Sequence, residues 1–485
     1  MAYSRREFLV RVGAATFFAG GHYGLIDRMA GPALRPTAPV GDVPFAASAL
    51  PPEQHLFLGL STVKDDDTLV TVPPRHHAII TARLTIEATT AALQNAQQVL
   101  ESAITQLENK GPLNFRPSGL GLVVGWGLPY FNRLPPALTT SWLPVDIVAS
   151  QANNETTLAI VDAIAFASDP PALVLEQNDL AFVLASDHLD NIAMASDAIF
   201  NGPPADLMTI TSIRRGFVDG HKMGGRRQSL TKRMAVEAQI PGAASIPDSA
   251  ELFLGFTSTQ KAALGQSVIA NLETLPGLTD QWPNGYFVNG TTMHLSHISE
   301  DLEAWYSATY RQRAGFAFSP AAEATAKRGR LTLPAGPSTI ESLAQVQSDV
   351  DTYGFIGHSS SMQPVSRLPA SVTDNYGNVW PTGTAIPERA DFNTLDNPFS
   401  YSSDPESDHM SSRPAAGLHF VVFMPTSTSF NVMRQAMDGQ YAPDITLGPG
   451  AVHSPFNNVL QTTHRQNFLV PPRVHRSFPL AELLR

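Results

Sequence analysis

The sequence of 485 residues contains no cysteine, and this absence removes several classes of site. Disulfide bonds, zinc held by thiolates, iron–sulfur clusters and haem ligated by a thiolate all require cysteine and are therefore excluded. Any metal bound by this chain has to be held by His, carboxylate, Tyr or Met side chains.

Charged side chains are also scarce, at 15% of the chain compared with roughly a quarter in an average protein. The net charge is −11, which argues against nucleic acid and against anionic membrane surfaces as partners. Hydrophobic residues make up 43% of the chain, enough for a core, and the length predicts two to four domains. The 39 prolines indicate long ordered loops.

The first residues of the chain have the pattern of an export signal. Arg5 and Arg6 precede an apolar stretch rich in Gly and Ala, which is typical of the bacterial Tat signal. That stretch is too short to span a bilayer, so we expect no integral membrane segment after removal of the signal. An amphipathic N-terminal helix is the alternative. We expect residues 1–45 to be signal and linker, and the mature protein to be periplasmic or extracellular.

Short strand-like and helix-like stretches alternate along the chain and predict an α+β fold. In the first half we expect strands at 54–63, 75–88, 119–127 and 179–186, and helices at 89–110 and 187–200. In the second half we expect a strand at 286–295, a helix at 299–310 capped by Ser299, a long ordered loop at 363–408, a strand at 417–424 and a helix at 427–437.

This element order suits two ferredoxin-like (β-α-β-β-α-β) halves that form a dimeric α+β barrel-like arrangement. The halves are expected to cover residues 46–284 and 285–485.

Residues 214–220 read Arg-Arg-Gly-Phe-Val-Asp-Gly and form the most informative motif. Asp219 lies between Gly216 and Gly220, close to Phe217. Because glycine has no Cβ, it permits tight turns and a close approach of backbone to a ligand, so Asp219 suits a position against a flat cofactor. A surface turn is the alternative for such a short Gly/Asp run.

Several stretches, in this order, resemble the dye-decolorising (DyP-type) haem peroxidases. The resemblance rests on residues 119–127, 179–187, 215–220, 289–305, Gly357 with His358, 417–424 and 467–472. Together these stretches extend the likeness over most of residues 50–475. Members of that family often carry a Tat signal, in agreement with the N-terminus.

The resemblance implies an enzyme that reduces hydrogen peroxide with haem b and oxidises bulky phenolic or dye-like organic reductants. It implies His358 as the ligand of the haem iron and Asp219 as the distal acid–base group. Gly216, Phe217 and Gly220 would let the backbone lie close to the porphyrin. A homo-oligomer is compatible with the sequence.

Two stretches depart from the family pattern. The family places basic residues after its iron-ligating His, where this chain has Ser359 to Ser361. It also has an arginine pair where this chain has Ser411 and Ser412, so Arg413 is the candidate for the distal arginine. These departures leave two alternatives open: a haem-binding or iron-handling protein of the same fold with weak or no peroxidase activity, and a structural relative without cofactor.

Two other groups have simpler explanations. His294 and His297 have the spacing of metal ligands but no obvious third ligand, so structural roles are expected. The basic residues between 214 and 233 indicate a solvated loop or a rim facing the haem propionates.

Overall fold

The structure, a computed structural model, describes residues 26, 29, 50–57, 60, 62–65, 68–109, 119–219, 229–256, 262–263, 267–325, 340–395, 414–442, 445–447 and 454–485. The strands are β1 Thr62–Asp65, β2 Thr68–Thr71, β3 His76–Leu84, β4 Gly121–Trp126, β5 Val174–Leu175, β6 Leu180–Ser186, β7 Met208–Phe217, β8 Ala262–Ala263, β9 Thr291–Glu300, β10 Val372–Thr373, β11 Val379–Trp380, β12 Glu388–Arg389, β13 Phe392–Thr394, β14 Gly417–Met424, β15 Gln440–Ala442, β16 Ile445–Thr446 and β17 Leu460–Val470. The α-helices are α1 Thr90–Asn109, α2 Leu128–Phe131, α3 Pro136–Trp142, α4 Ile147–Asn153, α5 Leu189–Phe200, α6 Leu230–Glu237, α7 Leu302–Ser307, α8 Tyr310–Ala317, α9 Pro320–Thr325, α10 Leu343–Tyr353, α11 His358–Ser366 and α12 Ser427–Ala436.

Within the described residues, ten strands form one sheet that closes on itself. From β7 the hydrogen-bonded neighbours follow the order β7-β3-β6-β4-β17-β9-β14-β13, and β13 then pairs with β7 again. Every pairing around this ring is antiparallel. The sheet is therefore barrel-like and antiparallel, and the predicted α+β fold class is confirmed.

The ring consists of two groups of strands from different parts of the sequence. The N-terminal group has the order β7-β3-β6-β4, and the C-terminal group has the order β13-β14-β9-β17. Read from β7 in the first group and from β17 in the second, the strand order is fourth, first, third and second along the chain. Helices α1 and α5 pack on the first group, and α12 contacts β9 and β14 of the second.

Two narrow seams join the groups. Only Trp126 and Leu469 are paired between β4 and β17, and only Phe217 and Asn393 between β7 and β13. At the first seam the side chain of Gln54 bridges the two strands: it accepts from the backbone N–H of Val124 at 2.9 Å and donates to the carbonyl of residue 471 at 2.8 Å. A buried amide thus replaces missing ladder hydrogen bonds.

The interior of the barrel contains an apolar cluster in which Ile79, Val183, Leu295, Val421 and Phe468 are buried. Successive side chains in a strand point to opposite faces, so the intervening residues of the same strands face outward. The outer face of the N-terminal group is covered by its helices. That of the C-terminal group lines a cavity described below.

The structure corrects the sequence prediction for residues 286–310. The strand is Thr291–Glu300, because the chain is paired on both sides as far as Ser299, which lies opposite Gly417 in β14 and opposite Gln461 in β17, and Glu300 is still paired with Leu460. The helix begins only at Leu302, and its N-cap is Asp301, whose carboxylate accepts from the N–H of Ala304. Two sheet partners therefore override the local preference for a helix start at Ser299.

Other predicted elements agree more closely, with strands at Gly121–Trp126, Leu180–Ser186 and Gly417–Met424 and a helix at Ser427–Ala436. The predicted strand at 54–63 is wrong over 54–57, which are not in a strand, and right only at its end. The loop expected at 363–408 contains the end of α11 and four short strands. The proposed signal lies almost entirely outside the described residues. Of the helices described, none is long and apolar enough to span a membrane.

Gly216 tests how tightly the β7–β13 seam is packed. A Cβ at this position would overlap the backbone oxygen of Asn393 and the ring of Phe392. We expect Gly216→Ala to lower the free energy of unfolding by about 1–3 kcal/mol and Gly216→Val to lower it further, since overpacking forces the backbone to shift. Urea denaturation monitored by circular dichroism measures both. Equal stability of all three proteins would show that the seam is loose.

Candidate functional site

A cavity of about 230 Å³ lies between the outer face of the C-terminal strands and helices α11 and α12. Its sheet wall is formed by Ser296, Ile298 and Glu300 of β9 and by Leu418, Phe420 and Val422 of β14. These residues alternate with the barrel-facing Leu295, His297, His419 and Val421, as the two-residue period of a strand requires. The helix wall includes His358, Met362, Phe430 and Met433.

His358 is the first residue of α11, and the local sequence fixes its position. Gly357 precedes it, where a Cβ would overlap the carbonyl of Phe318, and that carbonyl accepts from the N–H of Ser360 at 2.8 Å. The imidazole stacks on Phe456, with 4.6 Å between the ring centroids. The start of the helix is thereby pressed against the preceding chain, with the imidazole at the cavity wall.

The imidazole of His358 is neutral, and the described residues do not use its full hydrogen-bonding capacity. Its Nδ1 is buried and has no hydrogen-bond partner among the described residues. Burial, together with the nearby charges of Arg389 and Arg434, lowers the pKa of His358 to about 3. A neutral imidazole with an available nitrogen is a common ligand for transition metals and haem iron.

Four arginines line the same cavity, and three of them form ion pairs with carboxylates that can be given by distance. The pairs are Arg389 with Asp391 at 2.7 Å, Arg434 with Asp438 at 3.1 Å and Arg465 with Asp169 at 2.6 Å. Arg367 is the fourth of these arginines. Apolar walls with several guanidinium groups suit a ligand that is flat, largely apolar and anionic at its edge.

Glu300 is the residue that sequence reasoning missed. It was expected in the first turn of a helix, yet it is the last residue of β9 and faces the cavity. Only 6% of the residue is exposed, and neither carboxylate oxygen has a partner among the described residues. Desolvation raises its pKa to about 8. The signal available in the sequence was the two-residue period of a strand: Glu300 comes two positions after Ile298 and therefore lies on the same outward face.

The predicted distal residues are placed elsewhere or are not described. Asp219 is 7% exposed, and its Oδ2 accepts from the backbone N–H of Leu230 at the start of α6 at 2.7 Å. It is not among the described residues that line the cavity. Gly216 and Phe217 lie in the β7–β13 seam. Gly220 and Arg413, like Ser411 and Ser412, lie outside the described residues, so their roles stay predictions.

The remaining candidates have structural contacts. His294 is held at 2.7 Å by both Asn467 and Ser296, and its ring stacks on Phe430. Arg214 is completely buried and forms an ion pair with Glu176, so the expectation of a solvated loop or a propionate rim is wrong for this residue. The described part of the chain contains no group of three or more His, Asp or Glu side chains suited to a metal ion.

The family of this chain follows from residues 74–472, which match the model of a family of unknown function (DUF7405). The chain belongs to that family. No curated protein matches its sequence.

Solved structures of DyP-type peroxidases are similar to this chain. The enzyme from Cellulomonas bogoriensis is 16% identical, with 85% of this chain and 95% of that chain covered and a TM-score of 0.47. The encapsulated enzyme from Mycobacterium smegmatis is 13% identical, with 84% and 95% covered and a TM-score of 0.44. A DypB variant from Rhodococcus jostii in complex with heme is 14% identical, with 83% and 94% covered and a TM-score of 0.43.

The predicted resemblance to DyP-type peroxidases is confirmed, as a remote one. At this identity and these TM-scores the likeness says nothing about activity, so the residues of the cavity have to carry any functional assignment.

Asp219 provides a first test of the site. We expect Asp219→Ala to lower the free energy of unfolding by about 0.5–2 kcal/mol, because the N–H at the start of α6 loses its acceptor. Asp219→Asn keeps an acceptor oxygen and should cost less. Asp248→Ala is the control, since that side chain is exposed and its ion pair with Lys232 lies at the surface. A stability of Asp219→Ala equal to wild type would contradict the structural role.

The raised pKa of Glu300 predicts a pH-dependent stability. The folded protein holds this proton between the ordinary pKa of 4.5 and about 8, whereas the unfolded chain releases it, so stability falls as pH rises through that range. Glu300→Gln removes this contribution and should gain stability relative to wild type between pH 6 and pH about 9. Thermal unfolding at several pH values measures this difference in stability. Glu303→Gln, which changes an exposed carboxyl, is the control. Parallel pH curves for wild type and Glu300→Gln would contradict it.

Proposed function

We propose that this protein is a haem peroxidase that reduces hydrogen peroxide and oxidises bulky phenolic or dye-like compounds. The observation that carries the proposal is His358, a neutral imidazole without a partner among the described residues, placed at the wall of a cavity lined by arginines. We expect His358 to be the axial ligand of the iron.

The residues of the cavity fit a haem group. Neutral imidazole is the usual nitrogen ligand of haem iron. Phe420 and Phe430 offer aromatic surface to a macrocycle, while Arg389, Arg434 and Arg465 supply cations for its two propionates. Because the chain has no cysteine, a thioether-linked haem is excluded and haem b is the form expected.

The cavity is smaller than a usual small-molecule site, so side chains in its walls have to move when haem binds. Small-molecule sites usually measure roughly 300–1,000 Å³, whereas this cavity measures about 230 Å³. Met362, Met433 and Met437 line it. Methionine side chains are unbranched and flexible, so they can rearrange around a ligand at low cost. We expect these three side chains to move when haem binds.

The chain contributes position and environment to the chemistry. Bound haem supplies the redox-active iron through which electrons of the organic reductant reach hydrogen peroxide. Gly357 and Phe456 hold the imidazole of His358 in one orientation, and the apolar side chains of β9 and β14 exclude water. Asp219 was assigned the proton transfer by resemblance, and that assignment stays a prediction.

One observation favours the alternative of a haem-binding protein with weak or no peroxidase activity. The carboxylate of Asp219 is engaged at the start of α6, and no described residue is a distal arginine by resemblance. Such a protein would bind haem through the same residues and react with peroxide slowly. A cofactor-free structural relative would show no haem absorbance at all.

We further propose that the barrel consists of two ferredoxin-like halves, covering 46–284 and 285–485. The identical strand order in the two groups of strands supports this division. Export by the Tat route, with a signal and linker in residues 1–45, is proposed from Arg5 and Arg6 and the apolar stretch after them.

His358→Ala tests the assignment directly. Protein purified with haem should show a Soret band, and the variant should lose most of it because the iron loses its ligand. His188→Ala, a substitution at an exposed histidine, is the matched control and should keep the band. Circular dichroism establishes that both variants are folded. A full, unshifted Soret band in folded His358→Ala would overturn the proposal.

A further inference from the structure

The cavity contains one acidic group whose oxygens are not committed to any described partner. Both oxygens of Glu300 are buried without a hydrogen bond, although buried carboxyl groups are normally paired. A buried carboxyl without a partner is expensive to retain, so its position in a cavity indicates a use.

The polar groups near Glu300 are engaged in interactions with other residues. On α7 the hydroxyl of Tyr306 donates to the carbonyl of Phe253 at 2.6 Å, and the guanidinium of Arg313 on α8 lies over the Tyr306 ring at 4.7 Å. On the strand side Arg389 is paired with Asp391. The imidazole of His358 on α11 lines the same cavity and is neutral. None of these groups provides a charged partner for the carboxylate.

We propose that Glu300, rather than Asp219, is the acid–base group that serves peroxide in this cavity; this rests on the proposed function. The carboxylate of Glu300 accepts a proton from one oxygen of hydrogen peroxide. The resulting carboxylic acid returns that proton to the other oxygen as the O–O bond breaks, so that this oxygen leaves as water. The phenolic reductant supplies two electrons, and with two protons from solvent the remaining oxygen becomes the second water.

The location of Asp219 supports this assignment. Its Oδ2 is already engaged with the N–H of Leu230, whereas the oxygens of Glu300 have no described competitor. A group that must accept and return a proton needs free lone pairs and a pKa near the working pH, and burial has raised the pKa of Glu300 to about 8.

Infrared spectroscopy reads the protonation of Glu300 without any haem. Wild-type protein at neutral pH should show a C=O band of a protonated buried carboxyl that disappears as pH rises through about 8. The band should be absent from Glu300→Gln and unchanged in Glu303→Gln, whose carboxyl is exposed. Other buried carboxyls whose pKa is raised by burial, such as Glu388, give bands that are the same in all three proteins. A band titrating near pH 8 that persists in Glu300→Gln, or no such band in wild type, overturns the inference.

Stopped-flow kinetics with hydrogen peroxide tests the role in the haem-loaded protein. Glu300→Gln should keep the Soret band and react about 10²–10⁴-fold more slowly. In wild type the rate should rise as pH increases through about 8, because the carboxylate of Glu300 forms in that range. Glu300→Gln should not show this rise. Glu300→Asp should recover part of the rate, and Glu303→Gln, which changes an exposed carboxyl, should react as fast as wild type.

The outcomes separate the two proposals. If Glu300→Gln keeps the Soret band and reacts at the wild-type rate, the inference about Glu300 is wrong while the haem site stands. The same conclusion follows if Asp219→Asn alone abolishes the reaction with hydrogen peroxide. If wild type binds no haem, the proposed function fails and the inference fails with it.

Discussion

The closure of the sheet is the constraint on which the rest of this structure depends. Once β13 pairs with β7 and β17 with β4, one face of every ring strand is committed to the barrel interior. The opposite face of β9 and β14 is then free to form a wall of the cavity, and the two-residue period decides which side chains it carries. Ser296, Ile298 and Glu300 enter the cavity because Leu295 and His297 are buried on the other face.

The seams show how this closure is completed. Each is joined by a single pair of residues, so other groups have to satisfy the backbone there. The side chain of Gln54, far from β4 and β17 in sequence, makes those hydrogen bonds at one seam. At the other, the absence of a side chain at Gly216 lets β7 lie against Asn393. Gly216 is therefore explained by packing between strands.

Desolvation determines the chemistry that the cavity offers. It favours the neutral forms of both His358 and Glu300, lowering the pKa of the first and raising that of the second. The arginines remain charged and are stabilised by carboxylates around them. The combination of an uncharged ligand, an uncharged acid and fixed cations suits an anionic cofactor whose reaction requires proton transfer.

The sequence by itself determined the fold class, the strand at Gly417–Met424 and the absence of any cysteine ligand, because apolar runs and composition are local properties. By its place in an ordered pattern, the sequence also predicted His358 as an iron ligand, and that role stays a prediction. The tertiary structure alone decided that Glu300 is in a strand, since β14 and β17 hold the chain extended there. It also decided that Asp219 binds the start of α6, because that contact joins segments whose proximity depends on packing.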